Sequence, residues 1–557
     1  MAVPTNVGAH LPALARQRPH APAVVCPVGR DEWGRSTYSQ YSFQQLDEVS
    51  DHFARTLESF GIGRGTRTVL MVPPSLEFFA LTFALFKLST VLVLVDPGMG
   101  VRNLGKCLAE AEPEAFIGIP KAHLARRLLG WARPTVRVTV TVGRPRLGSR
   151  FVLDRPPGDL TLRQSAHAPF PIPENDAEET AAILFTSGST GVAKGAMYSH
   201  GNFAAQVEAI RRTFDIQPGE VDLATFPLFA LFGPALGMTA IIPDMNPARP
   251  ALVDPAKIFE AIQNFGVTNL FGSPALLNRV GRAVEGEYKL PSLKRVVSAG
   301  APVPAAVIER FAKLLPPDVQ VFTPYGATEG LPVAVIGSDE ILKETRHRTD
   351  EGAGVCVGRP VDGMTVKIIR ISDEPIPDWR DDLEVGTGEI GEIAVQAPWV
   401  TRSYYNRPAA TALAKIAAPG GQVFHRMGDV GYIDDRGRLW FCGRKSHRVV
   451  TAAETLFTIR CEAVFNTHPE VFRTALVGVP RNGLTEPVLC VEPESGVRRA
   501  RQTEDRLRRE LLQIGARFPH TQCIETILFH PAFPVDIRHN SKIFREKLAV
   551  WAAKRVR

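Results

Sequence analysis

The chain has 557 residues, enough for three or four folding units at roughly 150 residues each, far more than a small stapled or metal-nucleated module needs. Apolar residues make up 45% and charged residues 22%, near the globular average, which excludes a disordered or collagen-like chain. The net charge is +7, and from residue 446 onward 18 Lys and Arg face 12 Asp and Glu, so much of the excess sits in the last fifth; such a basic module suits nucleic acid, an anionic membrane or a polyphosphate, or is simply a solvated arginine-rich helix.

The first residues lack an apolar core of signal-peptide length, and seven widely spaced cysteines include no CxxC or zinc-site spacing. A reducing compartment, the cytoplasm, is expected. Helical apolar patterns such as 43–60 alternate with β-branched runs at 68–72, 91–95 and 136–142, which predicts α/β layers. The most apolar stretch, 78–95, carries Lys87 at its centre and is bracketed by Pro73, Pro74 and Pro97, so it predicts a buried helix over 76–87 and a strand over 91–95 rather than a bilayer span. No transmembrane segment is expected, and a peripheral membrane contact stays open. After a Pro-rich connection at 166–175, a second α/β unit follows, with helices at 257–265 and 305–315 and strands at 269–271 and 293–298. Between 354 and 443 short strands with Gly and Asp turns predict a small β-rich subdomain, and a compact α/β tail ends in a basic helix near 543–554. The expected arrangement is a large unit, 1–445, with subdomains near 1–170, 171–353 and 354–445, and a small α+β unit, 446–557.

The strongest local signal is ILFTSGSTGVAKGAMYSHGNF, residues 183–203, where a buried strand runs into a Ser/Thr/Gly loop containing a lysine. Gly188 and Gly191 allow backbone N–H groups to converge on an anion, Thr186, Ser187, Ser189 and Thr190 add hydroxyls, and Lys194 adds charge. The pattern is not GxxxxGK[ST], because Lys194 stands between Ala193 and Gly195. A hydroxyl-rich turn is the plain alternative.

Four further segments accompany this loop in a fixed order: YGATEG (325–330), GEIAVQAPWVTRSYYNRPAAT (391–411), MGDVGYIDDRGRLWFCGR (427–444) and NSKI (540–543). With them the chain resembles the adenylate-forming superfamily of acyl-CoA synthetases, luciferases and peptide-synthetase adenylation domains. The resemblance implies ATP and Mg²⁺, with Glu329 and Thr186 near the metal and Thr328 near the same oxygens. It implies adenine against Gly300, Ala301, Pro302, Tyr325 and Gly326, ribose on Asp429, and Arg444 steadying ribose and phosphate. Lys542 would bridge the carboxylate and α-phosphate, and the C-terminal unit would be a mobile lid carrying it. A carboxylate and a triphosphate repel, so cations at these positions suit the chemistry.

Four residues depart from the thiol-transferring members. Ser446 stands where they have an acidic hinge, Ala452 and Ala453 where they have a Gly-Gly turn, and Ala230 where they have His. Through FPLFALFGPALG, PDMNP, GRKSHRV and RHNSKIF the chain resembles the branch that closes β-lactones in bacterial long-chain olefin biosynthesis. That branch implies a long-chain 2-alkyl-3-hydroxy fatty acid as substrate, no thiol acceptor, and a β-lactone decarboxylase and a reductase as pathway partners. A long-chain acyl-CoA or acyl-AMP ligase is the other reading. An apolar acyl pocket is expected from Phe226, Phe229, Phe232, Leu236 and Met238, with core packing as their plain alternative. His200 and His447 are candidates for the base on side-chain type alone. No nucleic-acid partner is expected, since aromatics do not interleave with the arginines.

Overall fold

The computed structural model describes residues 5–143, 151–153, 168–186, 193–226, 231–284, 288–481, 483–497, 500–535 and 543–556. The expected helix forms as Leu76–Lys87, and every residue from Phe78 on is buried, as a helix apolar on all sides must be. Ser75 caps it, its hydroxyl accepting from the Phe78 N–H at 3.3 Å. Lys87 Nζ lies 2.5 Å from both Asp47 Oδ1 and Asp51 Oδ1 of the helix Phe43–Ser59. A buried cation needs such partners, so the lysine that spoke against a bilayer span ties two helices together. Among the described residues no helix is long and apolar enough to cross a membrane.

One sheet contains Phe151–Leu153, Val138–Val142, Ala115–Gly118, Arg67–Met71, Val91–Leu94 and Thr180–Phe185, parallel and in that order, with Gly195–Ser199 antiparallel at its edge. A second sheet of 14 strands starts at the hairpin Pro22–Arg30 and Ser36–Ser42 and passes through Thr239–Ile241, Val221–Ala224, Asn269–Gly272, Arg295–Ser298, Val321–Ala327 and Gly330–Gly337. It continues through Val355–Pro360, Leu439–Arg444, Gln422–Ile433, Gly391–Gln396 and Thr365–Ile369, so the β-rich region is its far end. Helices cover both sheets, and the α/β expectation holds.

The expected subdomain border near residue 170 does not separate these sheets. Pro22–Arg30 pairs in parallel with Thr239–Ile241, while Thr180–Phe185 pairs in parallel with Val91–Leu94. Parallel partners are joined by crossovers, and two of these crossovers carry strands past the Pro-rich connection. The last strands, Val471–Arg481, Leu484–Pro493 and Thr526–Phe529, form a separate three-stranded sheet. Beside it the helix Arg501–Gly515 buries Leu507 and Leu511, while Arg506 pairs with Glu470 and Glu510 and Arg508 with Asp505. A solvated, ion-paired helix face therefore accounts for this basic stretch.

In the core of the second sheet, Asp222 accepts from Asn269 Nδ2, and burial pushes its carboxyl up to about 7. Between about pH 4 and 7 the folded chain thus holds a proton that the unfolded chain has lost, so stability falls as pH rises through that window. Asp222→Asn keeps the acceptor and removes the ionisation. Its stability is expected to match that of the wild type near pH 4 and exceed it near pH 8 by on the order of 2–4 kcal/mol. Thermal unfolding at both pH values checks this, and a pH-independent difference would refute it.

Candidate active site

The strand Thr180–Phe185 ends at one wall of a cavity of about 720 Å³. Its neighbour Gly195–Ser199 runs back antiparallel, with Phe185 opposite Gly195. Thr186 N donates to Lys194 O at 2.9 Å and Lys194 N to Thr186 Oγ1 at 3.3 Å, closing the neck of the loop between them. Thr186 and Lys194 both line the cavity. Ser187, Gly188, Ser189, Thr190 and Gly191 lie outside the described residues, as do Phe229, Ala230 and Lys542.

Glu329, from the turn between Val321–Ala327 and Gly330–Gly337, also lines the cavity. Tyr404 Oη donates to Glu329 Oε1 at 2.6 Å, and Lys194 Nζ lies 5.0 Å from the centre of the Tyr404 ring. Burial, then the Glu329 carboxylate, pushes the Tyr404 phenol well up, which keeps it a donor. Tyr198 Oη donates to Thr328 O at 2.5 Å and fixes the backbone beside the carboxylate. Behind this group Lys415 is buried with Nζ on Thr401, whose N–H donates to Glu329 O at 2.8 Å; burial pushes the Lys415 amine down to about 7.

A second polar group forms where Gln422–Ile433 pairs with Leu439–Arg444 and Asp429 stands opposite Arg444. Asp429 Oδ2 accepts from Tyr325 Oη at 2.6 Å, and Arg444 Nη1 lies 3.0 Å from Asp429 Oδ1. The Asp429 carboxylate raises the Arg444 guanidinium further above its usual value. Gly300, Gly326 and Thr328 line the cavity alongside Arg444, and Gly300 has φ +96, a conformation that a side chain resists. Ala301 and Pro302 follow, half-buried and exposed, in the turn.

The other arm of the cavity is apolar, with Phe83, Phe86, Leu92, Leu94 and Leu184 from the first sheet and its buried helix in its wall. Phe226 and Phe232 also line the cavity. Leu236 and Met238 do not: they flank Gly237, whose φ of +81 turns the chain back, and pack into the core with Val207 and Ile216. The two histidines suggested by side-chain type also lie off the cavity wall. His200 opens the helix His200–Thr213 fully buried, its ring edge-on to Phe86, and burial pushes it down to about 4. His447 is pushed down to about 3 by burial and then by Arg545 and Arg444, although its neighbours Lys445 and Ser446 line the wall. Pattern reading missed the Tyr404–Glu329 contact and the apolar wall from Leu76–Lys87. Tyr404 lies within a quoted motif, but its partner is 75 residues away.

Residues 11–405 match the family of AMP-binding enzymes. The chain belongs to that family. It is 52% identical over 560 residues to the olefin beta-lactone synthetase of Xanthomonas campestris pv. campestris, covering 99% of this chain and 98% of that one. The olefin beta-lactone synthetase of Stenotrophomonas maltophilia gives the same identity and the same coverage of both chains. The amide bond synthetase McbA from Marinactinospora thermotolerans shares the fold, with a TM-score of 0.76 at 21% identity over 98% of this chain and 99% of that one.

Proposed function

We propose that this AMP-binding enzyme activates a long-chain 2-alkyl-3-hydroxy fatty acid with ATP and closes it to a β-lactone. The observation that carries this reading is the 52% identity to olefin beta-lactone synthetase over 99% of the chain. The cavity supports it, because one wall gathers polar groups suited to a nucleotide while the other is apolar.

In this reading a carboxylate oxygen of the acid forms a bond to the α-phosphorus of ATP and pyrophosphate leaves. The β-hydroxyl oxygen then bonds to the activated carbonyl carbon, the bond to AMP breaks, and the hydroxyl proton is released. The tether between hydroxyl and carbonyl supplies a high effective concentration. Thr186 to Gly191 and Lys194 would hold the phosphates, Gly300, Ala301, Pro302, Tyr325 and Gly326 the adenine, and Asp429 with Arg444 the ribose. Lys542 would bridge the acid and the α-phosphate, from a C-terminal unit beginning at Ser446.

Among the described residues no three His, Cys, Asp or Glu gather into a metal site. Mg²⁺ is commonly held by one or two carboxylates together with substrate phosphates, and Glu329, which lines the same cavity as Thr186 and Thr328, fits that donor set. When bound, the ion would offset phosphate charge; Tyr404 orients the Glu329 carboxylate. Ala452 and Ala453 stand exposed in the turn joining Val449–Val450 to Thr455–Leu456, in place of the glycines of thiol-transferring members. We place the enzyme in the cytoplasm, handing its lactone to a decarboxylase and working beside a reductase of the same pathway.

Product analysis after incubation with Mg-ATP and a 2-alkyl-3-hydroxy acid tests the reading. A lactone with AMP and pyrophosphate, independent of coenzyme A, is expected; a thioester formed only with coenzyme A would overturn it. Lys542→Ala is expected to slow acyl-adenylate formation about 100-fold, and a wild-type rate would remove the proposed lysine role.

A further inference from the structure

We infer that the outer face of two neighbouring helices, Val101–Ala111 and Pro120–Leu129, docks the enzyme on an anionic phospholipid surface. Residues 115–153 contain eight Lys and Arg and no Asp or Glu, so this stretch alone carries more positive charge than the net +7 of the chain. Along the chain the segment lies far from the basic helix Arg501–Gly515.

Both helices bury their inner faces on the same side of the seven-stranded sheet, where Leu104, Cys107, Leu108 and Ala111 share a core with Ala122 and Phe116. Trp131, just after the second helix, abuts Gly105 of the first so closely that a Cβ there would come within 2.9 Å of the indole nitrogen. The outer faces therefore lie side by side. On the second helix Leu124, Leu128 and Leu129 are 57%, 76% and 50% exposed, and Lys121 and Arg127 of the same helix are exposed as well. Positions 121, 124 and 128 fall on one helical stripe. Arg133 and Arg137 extend the exposed charge, and the first helix adds Val101, 55% exposed, with exposed Arg102 and Lys106. Of the acidic residues beside them, Glu110 is held by Arg407 at 2.6 Å and Glu112 is exposed.

Leucines that interrupt a basic face match a bilayer interface, where apolar side chains enter and cations meet headgroups. A nucleic-acid strand calls instead for aromatic platforms among the cations, and the exposed apolar set here is aliphatic. The patch also adjoins the cavity: Asp96 and Met99 line the cavity, and Val101 follows two residues later. An apolar acid leaving the bilayer at this face would have the cavity wall beside it. The inference is independent of which product the enzyme forms.

Sedimentation of the full chain with sucrose-loaded vesicles tests it, using phosphatidylcholine alone and phosphatidylcholine mixed with phosphatidylglycerol. Partition onto the anionic vesicles is expected to exceed that onto neutral ones at least tenfold and to weaken as salt rises. Each basic side chain removed is expected to lower partition about fivefold, so Lys121→Glu with Arg127→Glu should lose well over tenfold. Leu124→Ser with Leu128→Ser should also lose binding, with unchanged thermal unfolding. Arg501→Glu with Arg509→Glu on the C-terminal helix should leave it intact. Equal partition onto both vesicles, wild-type binding by the helix variants, or loss only in the C-terminal variant would overturn the inference. So would tight binding of duplex DNA through the same residues without vesicle binding.

Discussion

Glu329→Gln is expected to lower pyrophosphate exchange by about 10²–10³-fold, the usual cost of removing one preorganised electrostatic group. The substitution preserves shape, and an amide oxygen still accepts from Tyr404 Oη, which donates to Glu329 Oε1 at 2.6 Å. Only the charge is lost, at the point where Mg²⁺ and the phosphates are proposed to meet. The neighbourhood makes that charge hard to replace: Lys194 sits over the Tyr404 ring at 5.0 Å, and buried Lys415 supports the Glu329 backbone through Thr401. Tyr404→Phe keeps the carboxylate but frees its orientation, and a loss of about 10- to 100-fold is expected from one hydrogen bond to a charged group, about 1.5–3 kcal/mol. Exchange assays across a Mg²⁺ series check both. If Glu329→Gln stayed within threefold of the wild type at every Mg²⁺ level, the metal and phosphate role of this residue would be wrong.

Much of this architecture was legible in the sequence because its elements are punctuated. The run at 76–87 begins after a serine that caps it, and Asn269–Gly272 and Thr365–Ile369 stand as β-branched or apolar runs between turn residues. Partner choice was not legible. The hairpin at Pro22–Ser42 joins a sheet whose other strands begin some 180 residues later, and periodicity within a strand carries no record of that partner. The same limit applied inside the cavity. Motif order brought Lys194, Glu329, Asp429 and Arg444 forward; the structure sets Lys194, Glu329 and Arg444 in the wall of one cavity, with buried Asp429 paired to Arg444. The apolar wall was missed because Leu76–Lys87 is hydrophobic on every side, so no face is marked as cavity rather than core. Leu236 and Met238 erred in the opposite direction: their apolar character suited either role, and the turn at Gly237 directs them inward.

Arg426→Met is expected to destabilise the enzyme by about 3–5 kcal/mol, the range for breaking a buried ion pair from one side. Arg426 and Glu392 side chains are both about 1% exposed and lie 2.6 Å apart. All five guanidinium N–H groups have acceptors: Nε and Nη2 meet Glu392 Oε2, Nη1 meets Glu374 O at 2.8 Å and Leu413 O at 3.0 Å, and Nη2 also meets Ser372 O. Lys445 Nζ completes the cluster, 3.1 Å from Glu392 Oε1 and 2.7 Å from Ser372 O. One side chain therefore ties the strands Gly391–Gln396 and Gln422–Ile433 to the end of the helix Pro408–Ala414 and to the backbone of Ser372 and Glu374. Methionine fills the volume but removes the guanidinium donors to Glu374 O and Leu413 O and leaves Ser372 O and the buried Glu392 carboxylate to Lys445 alone. Arg426→Lys fares little better, because an ammonium has three donors and cannot form the planar fork. A chain of several units need not unfold in two states, so the decisive measurement pairs the calorimetric midpoint with limited proteolysis of residues 372–445. Lower midpoints and new cleavage in that segment are expected for both variants. An unchanged midpoint with intact protection would show that the guanidinium network contributes little to holding this side of the cavity.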